Sequence, residues 1–256
     1  MVLPYLKYLW KAKNQHSLHS PFVFDFYNQV VLTKTHLAPD TAIDTFYKQL
    51  SKNPETIKVN DMGAGSKFSN NSEKKISLIA KTALKNKKWA YLIAAIAKHY
   101  KYNYIIELGT SLGYTSAVIA GLNQNARVYT FEGCGATLAV AKKSFHTLGL
   151  KCITPLLGNI DDTLRGTLEQ LPNVDMVFFD ANHTYEATKR YFRYCLRKAH
   201  ENSCFIFDDI YWSEGMTKAW EEIIAHQEVT ISIDLFQLGI IFFRKKQPKQ
   251  HFVLKA

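Results

Sequence analysis

The 256-residue chain has no apolar run approaching the roughly 18 residues that a membrane-crossing helix needs, which excludes a transmembrane reading. Lys7, Lys11 and Lys13 interrupt the apolar N-terminal stretch that a signal peptide requires, so the expected location is cytoplasmic. Cysteine is scarce. Cys134, Cys152, Cys195 and Cys204 form no CxxC pair and have no histidines at ligand spacing, so neither zinc nor a disulfide framework is indicated and they read as reduced core thiols. Acids are also in short supply, 22 against 32 lysines and arginines, for a formal net charge of +10. That balance favours encounter with anionic partners, whether nucleic acid, an acidic small molecule or a membrane surface, without choosing among them. Much of the excess lies in Lys74–Lys101 and Arg244–Lys255, where a charge run usually describes a solvated face.

Apolar residues are plentiful, 47% of the chain, enough for one catalytic domain with an N-terminal extension. From Tyr104 the pattern alternates: strand to Leu108, helix 114–122, strand 127–131, helix 136–148, strand 151–156, helix 162–170, strand 174–179, helix 185–199, strand 203–207 and helix 213–226. Such alternation means a parallel sheet with helices on both faces, and near-continuous apolar strands agree with burial on both sides. At the end, Val229–Leu235 and Leu238–Arg244 are joined too closely for a parallel crossover and must run antiparallel. Residues 1–100 are expected to form a mainly helical extension that covers substrate or contacts another subunit; 101–246 form the alternating α/β domain, and 247–256 a basic tail. Leu3, Leu6, Leu9 and Trp10, set against Lys7, Lys11 and Lys13, give helical spacing with a basic face. Such a helix packs on the domain or on a second copy in a homodimer; the alternative is peripheral contact with a membrane surface. Ser72–Lys81 and Lys87–Tyr100 read as helices leading into the first core strand.

The richest stretch is Ile105-Ile106-Glu107-Leu108-Gly109-Thr110-Ser111-Leu112-Gly113-Tyr114-Thr115-Ser116. An apolar strand ends in an acid, turns through two glycines and opens a helix, an arrangement that offers unpaired N–H groups to a polar ligand. A second strand ends in Glu132, about 20 residues past the first glycine, where a nucleotide ribose meets a carboxylate. Asp61-Met62-Gly63-Ala64-Gly65-Ser66 is spelled similarly, but it lacks a following strand and ribose acid and reads as a loop. Three acids fall at strand ends: Asp180, Asp208 and Asp209. Gathering them costs repulsion unless a cation sits between, and oxygen ligands suit magnesium, calcium or manganese. The bland account makes Asp180 and Asp209 turn formers that cap the following helices.

The Glu107–Ser116 segment resembles motif I of the class I S-adenosylmethionine-dependent methyltransferases, and within them the cation-dependent O-methyltransferase branch. The rival is a nicotinamide-dependent Rossmann dehydrogenase, but Ser111 stands where that fingerprint wants its second glycine. The resemblance, carried by Tyr104–Arg244, implies a Rossmann-like α/β fold with a mostly parallel seven-stranded sheet and an antiparallel terminal hairpin strand. It assigns Glu107, Gly109, Ser111 and Gly113 to the methionine end of S-adenosylmethionine, Glu132 to the ribose, and Asn159 of Gly158-Asn159-Ile160 to adenine, with Asp180 also at the cofactor. It makes Asp180, Asp208 and Asp209 the holders of Mg2+ or another divalent cation, although the family usually has Asp-Asn where this chain has Asp208-Asp209. His183 stands where relatives place a lysine general base, so Asp180 and His183 are the candidate catalytic pair; its bland role is that of a loop histidine. Asp161 and Asp162 read as caps of the next helix, and Tyr185 as a packing residue at a helix start.

The expected activity is methylation of a hydroxyl on a small molecule. Nucleobase amine methylation is disfavoured, because the segment after the fourth strand reads Asp180-Ala181-Asn182-His183 rather than Asn/Asp-Pro-Pro-aromatic. The alternatives are a metal-independent methyltransferase, or a non-catalytic protein that keeps the cofactor fold while its basic N-terminus engages nucleic acid or a membrane.

Overall fold

A computed structural model describes residues 2–33, 41–60 and 72–256. The Asp61–Ser66 turn lies outside the described residues. The N-terminal part contains helix α1 (Val2–Lys11), a 3-10 turn (Gln15–Ser17), α2 (Pro21–Phe26) continued by a π-helical turn (Tyr27–Val31), and α3 (Thr41–Leu50). Strands β1 (Thr56–Val59) and β2 (Ser72–Lys75) follow, then α4 (Ile76–Thr82) and α5 (Lys87–His99). The alternating region is β3 (Tyr104–Leu108), α6 (Tyr114–Leu122), β4 (Arg127–Glu132), α7 (Gly135–Thr147), β5 (Ile153–Leu157), α8 (Ile160–Gln170), β6 (Met176–Phe179), α9 (Tyr185–Leu196), β7 (Cys204–Asp208) and α10 (Glu214–Ala225). The last elements are β8 (Ile231–Asp234), β9 (Leu238–Phe242) and β10 (Gln250–Val253).

The chain folds as two units, Lys34–Thr167 and Met1–Thr33 with Leu168–Ala256. In the first, β4 pairs in parallel with β3 on one side and β5 on the other. Ile105, Ile106, Leu108, Val128 and Phe131 are fully buried, as continuous apolar strands covered on both faces require. Helix α5 buries every residue from Ala90 to Ala97. Ser72–Lys75, expected to be helical, is a strand: it pairs antiparallel with β1 and sets Glu73 opposite Lys58. Cross-strand pairing here overrides the helical preference of a lysine-rich run.

In the second unit β6 and β7 are parallel, and β9 runs antiparallel to both β7 and β8. The antiparallel hairpin expected at the end of the sheet is therefore β8–β9. The expected seven strands rise to eight from β3 onward, because β10 adds to β8 in parallel. β10 is held from its other side by the start of the chain: the Lys13 N–H donates to the Val253 carbonyl at 2.8 Å and the Lys255 N–H to the Lys13 carbonyl at 3.1 Å. Tyr8 Oη donates to the Leu254 carbonyl at 2.6 Å and Tyr27 Oη to that of Lys255 at 2.8 Å. The core of this unit is aromatic, with Phe179 stacked on Phe207 at 4.3 Å between ring centroids.

Candidate active site

Within Lys34–Thr167 the candidate cofactor turn leaves β3 and enters α6. Gly109, Ser111 and Gly113 have φ of +104°, +49° and +84°. Only glycine adopts such angles freely, and Ser111 in the left-handed region is the kind of strain that a functional turn carries. Gly113 is also fixed by packing, since a Cβ there would lie 2.5 Å from the Phe145 ring. The Gly109 and Thr110 N–H groups both donate to the Phe131 carbonyl, at 3.1 and 3.0 Å, which ties the turn to β4.

Two carboxylates organise the turn. Glu107 is 1% exposed, and its Oε2 accepts hydrogen bonds from Ser116 Oγ and, at 2.6 Å, from Thr130 Oγ1. With its proton so committed, Thr130 Oγ1 accepts from Thr110 Oγ1 at 2.6 Å. Burial raises the Glu107 pKa from 4.5 to about 7; the Ser116 and Thr130 hydroxyls pull it down and the nearby Glu132 charge pushes it up. Glu132 at the end of β4 holds the Ser111 N–H on Oε2 at 2.8 Å and the Cys134 N–H on Oε1 at 2.9 Å. Asn159 caps α8: its Oδ1 accepts from the Asp161 N–H at 3.0 Å, while Asp161 and Asp162 lie in the helix's first turn.

A second group of residues supports the turn without any signal in motif spelling. Tyr47 Oη donates to the Leu112 carbonyl at 3.0 Å. Asp44, one turn earlier on α3, accepts from Tyr114 Oη at 2.9 Å and Tyr91 Oη at 3.3 Å, and pairs with Lys87. Burial pushes the Tyr47 and Tyr114 hydroxyls well above their ordinary pKa. The helical spacing of Ile43 and Tyr47, both buried, was the one available sequence signal for this face.

Within the other unit, Asp180 follows β6 and Asp208 ends β7, so both stand at carboxyl ends of parallel strands. Asp180, His183 and Asp208 each offer one ligand atom, and these atoms all lie within 4.8 Å of one another. His183 Nε2 is 3.6 Å from Asp180 Oδ1, and Asp208 is 2% exposed. Donors about 2.0–2.5 Å from a common ion stand roughly 3–5 Å apart, so the set fits a divalent cation. Asp209 stands outside this group: φ is +51°, its N–H donates to the Gln237 carbonyl at 2.9 Å and its carbonyl accepts from the Trp212 N–H at 2.9 Å. Tyr185 Oη donates to Glu222 Oε1 at 2.7 Å and accepts from Lys189 at 2.9 Å, and Thr184 Oγ1 caps α9. Tyr185 is thus engaged in helix packing at the start of α9.

Comparison with known proteins agrees with this geometry. A family described as "Methyltransferase domain" matches residues 106–210, which include the turn and Asp180, His183 and Asp208. Protein-L-isoaspartate O-methyltransferase of Xylella fastidiosa (strain M12) is 40% identical over 68 residues, 27% of this chain. That match spans 30% of the relative's length. Among solved structures, the O-methyltransferase TomG of Streptomyces achromogenes, involved in tomaymycin synthesis and solved with S-adenosylmethionine, superimposes with a TM-score of 0.62. It is 16% identical, over 85% of this chain and 96% of that one. The methyltransferase PaMTH1 of Podospora anserina, bound to S-adenosylhomocysteine, gives a TM-score of 0.62 at 14% identity over 90% of this chain and 100% of that one. An O-methyltransferase of Bacillus cereus, also with S-adenosylhomocysteine, gives 0.60 at 15% over 83% and 96%. The fold is therefore the Rossmann-like methyltransferase fold that the sequence led us to expect.

Proposed function

We propose that this chain, whose residues 106–210 match a family described as "Methyltransferase domain", is an S-adenosylmethionine-dependent methyltransferase that acts on a hydroxyl of a small molecule with help from a divalent cation. The observation that carries the reading is the clustering of Asp180, His183 and Asp208 at strand ends in a chain whose β3–α6 turn is built for a polar cofactor. When bound, S-adenosylmethionine supplies a methyl group on a sulfonium, and the cation lowers the pKa of the acceptor hydroxyl.

The chain's own groups do the rest. The ionised Glu107 receives the positive methionine end, with its hydroxyl partners holding the carboxylate in place. The Gly109–Gly113 turn admits the ligand close to the backbone, and Glu132, fixed beside the turn by the Ser111 and Cys134 N–H groups, binds ribose hydroxyls. Asn159 meets adenine with its amide group, its Oδ1 serving as the α8 cap. Asp180, Asp208 and His183 hold the cation. An imidazole in the set favours manganese or a later transition metal over magnesium or calcium.

A second reading rests on the 3.6 Å approach of His183 to Asp180. In a metal-independent enzyme, His183 takes the acceptor's proton while Asp180 orients the ring and stabilises its charged form. Methyl transfer to a panel of phenolic and aliphatic hydroxyls, with chelator and with manganese added back, separates the two. The cation reading expects loss with chelator, recovery with manganese, and loss of metal binding in Asp180→Asn. Chelator-resistant activity that disappears in His183→Gln establishes the second reading; no transfer to any acceptor despite cofactor binding contradicts both.

A further inference from the structure

The strongest feature unrelated to the cofactor site is the outer face of α1. Of the nine large apolar side chains exposed among the described residues, four belong to this one helix: Tyr5, Leu6, Leu9 and Trp10. Trp10 is 88% exposed, Leu6 55% and Leu9 42%, whereas Tyr8 is buried, its ring 5.3 Å from that of Phe236. At 3.6 residues per turn, Leu6, Leu9 and Trp10 share an arc of about 100°, roughly opposite Tyr8. The helix is thus anchored by Tyr8, with the edge of the half-exposed Tyr5 also against Phe236 at 4.9 Å between ring centroids, and Leu6, Leu9 and Trp10 present to solvent the apolar face that a surface helix ordinarily turns inward.

The charge around that face indicates what covers it. Lys7, Lys11 and Lys13 are exposed beside it, and the first acid in the chain is Asp25. Lys255 joins them, because its backbone N–H is bonded to the Lys13 carbonyl. Lysine is depleted from protein–protein interfaces, whereas a tryptophan and leucines bordered by lysines are the composition of a helix lying in the headgroup layer of an anionic bilayer. We propose that α1 is a membrane-surface helix: Leu6, Leu9 and Trp10 enter the acyl boundary of an anionic lipid leaflet, and Lys7, Lys11, Lys13 and Lys255 lie at its phosphates. This surface acts independently of the methyl-transfer reading.

The test is sedimentation of the full chain with vesicles of phosphatidylcholine alone, and of one part phosphatidylglycerol to two parts phosphatidylcholine. The proposal expects binding to the anionic vesicles only, weakened by salt. Each lysine near the surface contributes about a fivefold factor, so the triple variant Lys7→Gln, Lys11→Gln, Lys13→Gln loses on the order of a hundredfold in partitioning. Trp10→Ala loses about tenfold, and Trp10→Phe retains most of the binding while losing fluorescence quenching by brominated lipid. These side chains are exposed, so the variants keep the wild-type melting temperature. Equal binding to both vesicle types, or to neither, overturns the proposal. So does a wild-type homodimer that Trp10→Ala converts to monomer without vesicle affinity, which assigns the face to a second copy.

Discussion

Replacing Glu107 with glutamine isolates the cost of keeping a carboxylate inside the fold. The unfolded side chain ionises near 4.5 and the folded one near 7. Between those values the folded protein retains a proton that the unfolded chain has released, so this group's stabilising contribution is present in full below 4.5 and is lost as the pH rises through about 7. The gap corresponds to about 3 kcal/mol. Glutamine offers Ser116 and Thr130 a carbonyl oxygen but never ionises, so it has no such slope. Urea unfolding without ligand, from about pH 5 to about pH 8, should show Glu107→Gln gaining roughly 3 kcal/mol on the wild type across the range. The gain comes with a functional loss: without the anion, affinity for S-adenosylmethionine should fall by about tenfold to a hundredfold, the scale of a charged hydrogen bond. Parallel pH profiles for the two proteins would refute the assignment of a buried, desolvated carboxylate at the turn.

Gly113→Ala meets both an unfavourable backbone angle and the Phe145 ring, and should cost roughly 2–4 kcal/mol in urea unfolding. In a Phe145→Ala background the ring clash disappears, leaving the backbone angle and the Ala141 Cβ at 3.1 Å, and the same substitution should cost about 1–2 kcal/mol less. Tyr47→Phe removes the donor to the Leu112 carbonyl and should cost about 1–2 kcal/mol in thermal unfolding, together with a severalfold loss of S-adenosylhomocysteine affinity. Asp208→Asn should reduce manganese affinity at least tenfold by titration calorimetry; unchanged affinity would move the cation elsewhere.

The alternating half of the chain was legible because its signals are long and regular. Apolar runs such as Val177–Phe179 and Phe205–Phe207 have the composition of strands buried on both faces, and the acids that follow mark their carboxyl ends. Short elements were not. β2 is a lysine-rich run that becomes a strand only because β1 pairs with it, and β10 offers only four residues, two of them polar, before it meets β8. Periodicity cannot report a partner distant in the chain. The same limit hid the Asp44 cluster, whose tyrosines come from α5 and α6, and the use of Glu132 to hold two backbone N–H groups. The placement of His183 with Asp180 and Asp208 was half visible: the two acids could be read as strand-end residues and His183 as the residue three positions past the first, but only the fold sets their ligand atoms within 4.8 Å.

The central claim is that the turn from Glu107 to Gly113, with Glu132 beside it, binds a sulfonium nucleoside. Titration calorimetry of the purified chain with S-adenosylhomocysteine and, separately, with NAD tests it most directly. The account predicts stoichiometric binding of S-adenosylhomocysteine that is at least tenfold weaker in Glu132→Ala, and no heat with NAD. Binding of NAD in place of S-adenosylhomocysteine, or S-adenosylhomocysteine binding that Glu132→Ala leaves unchanged, would contradict it.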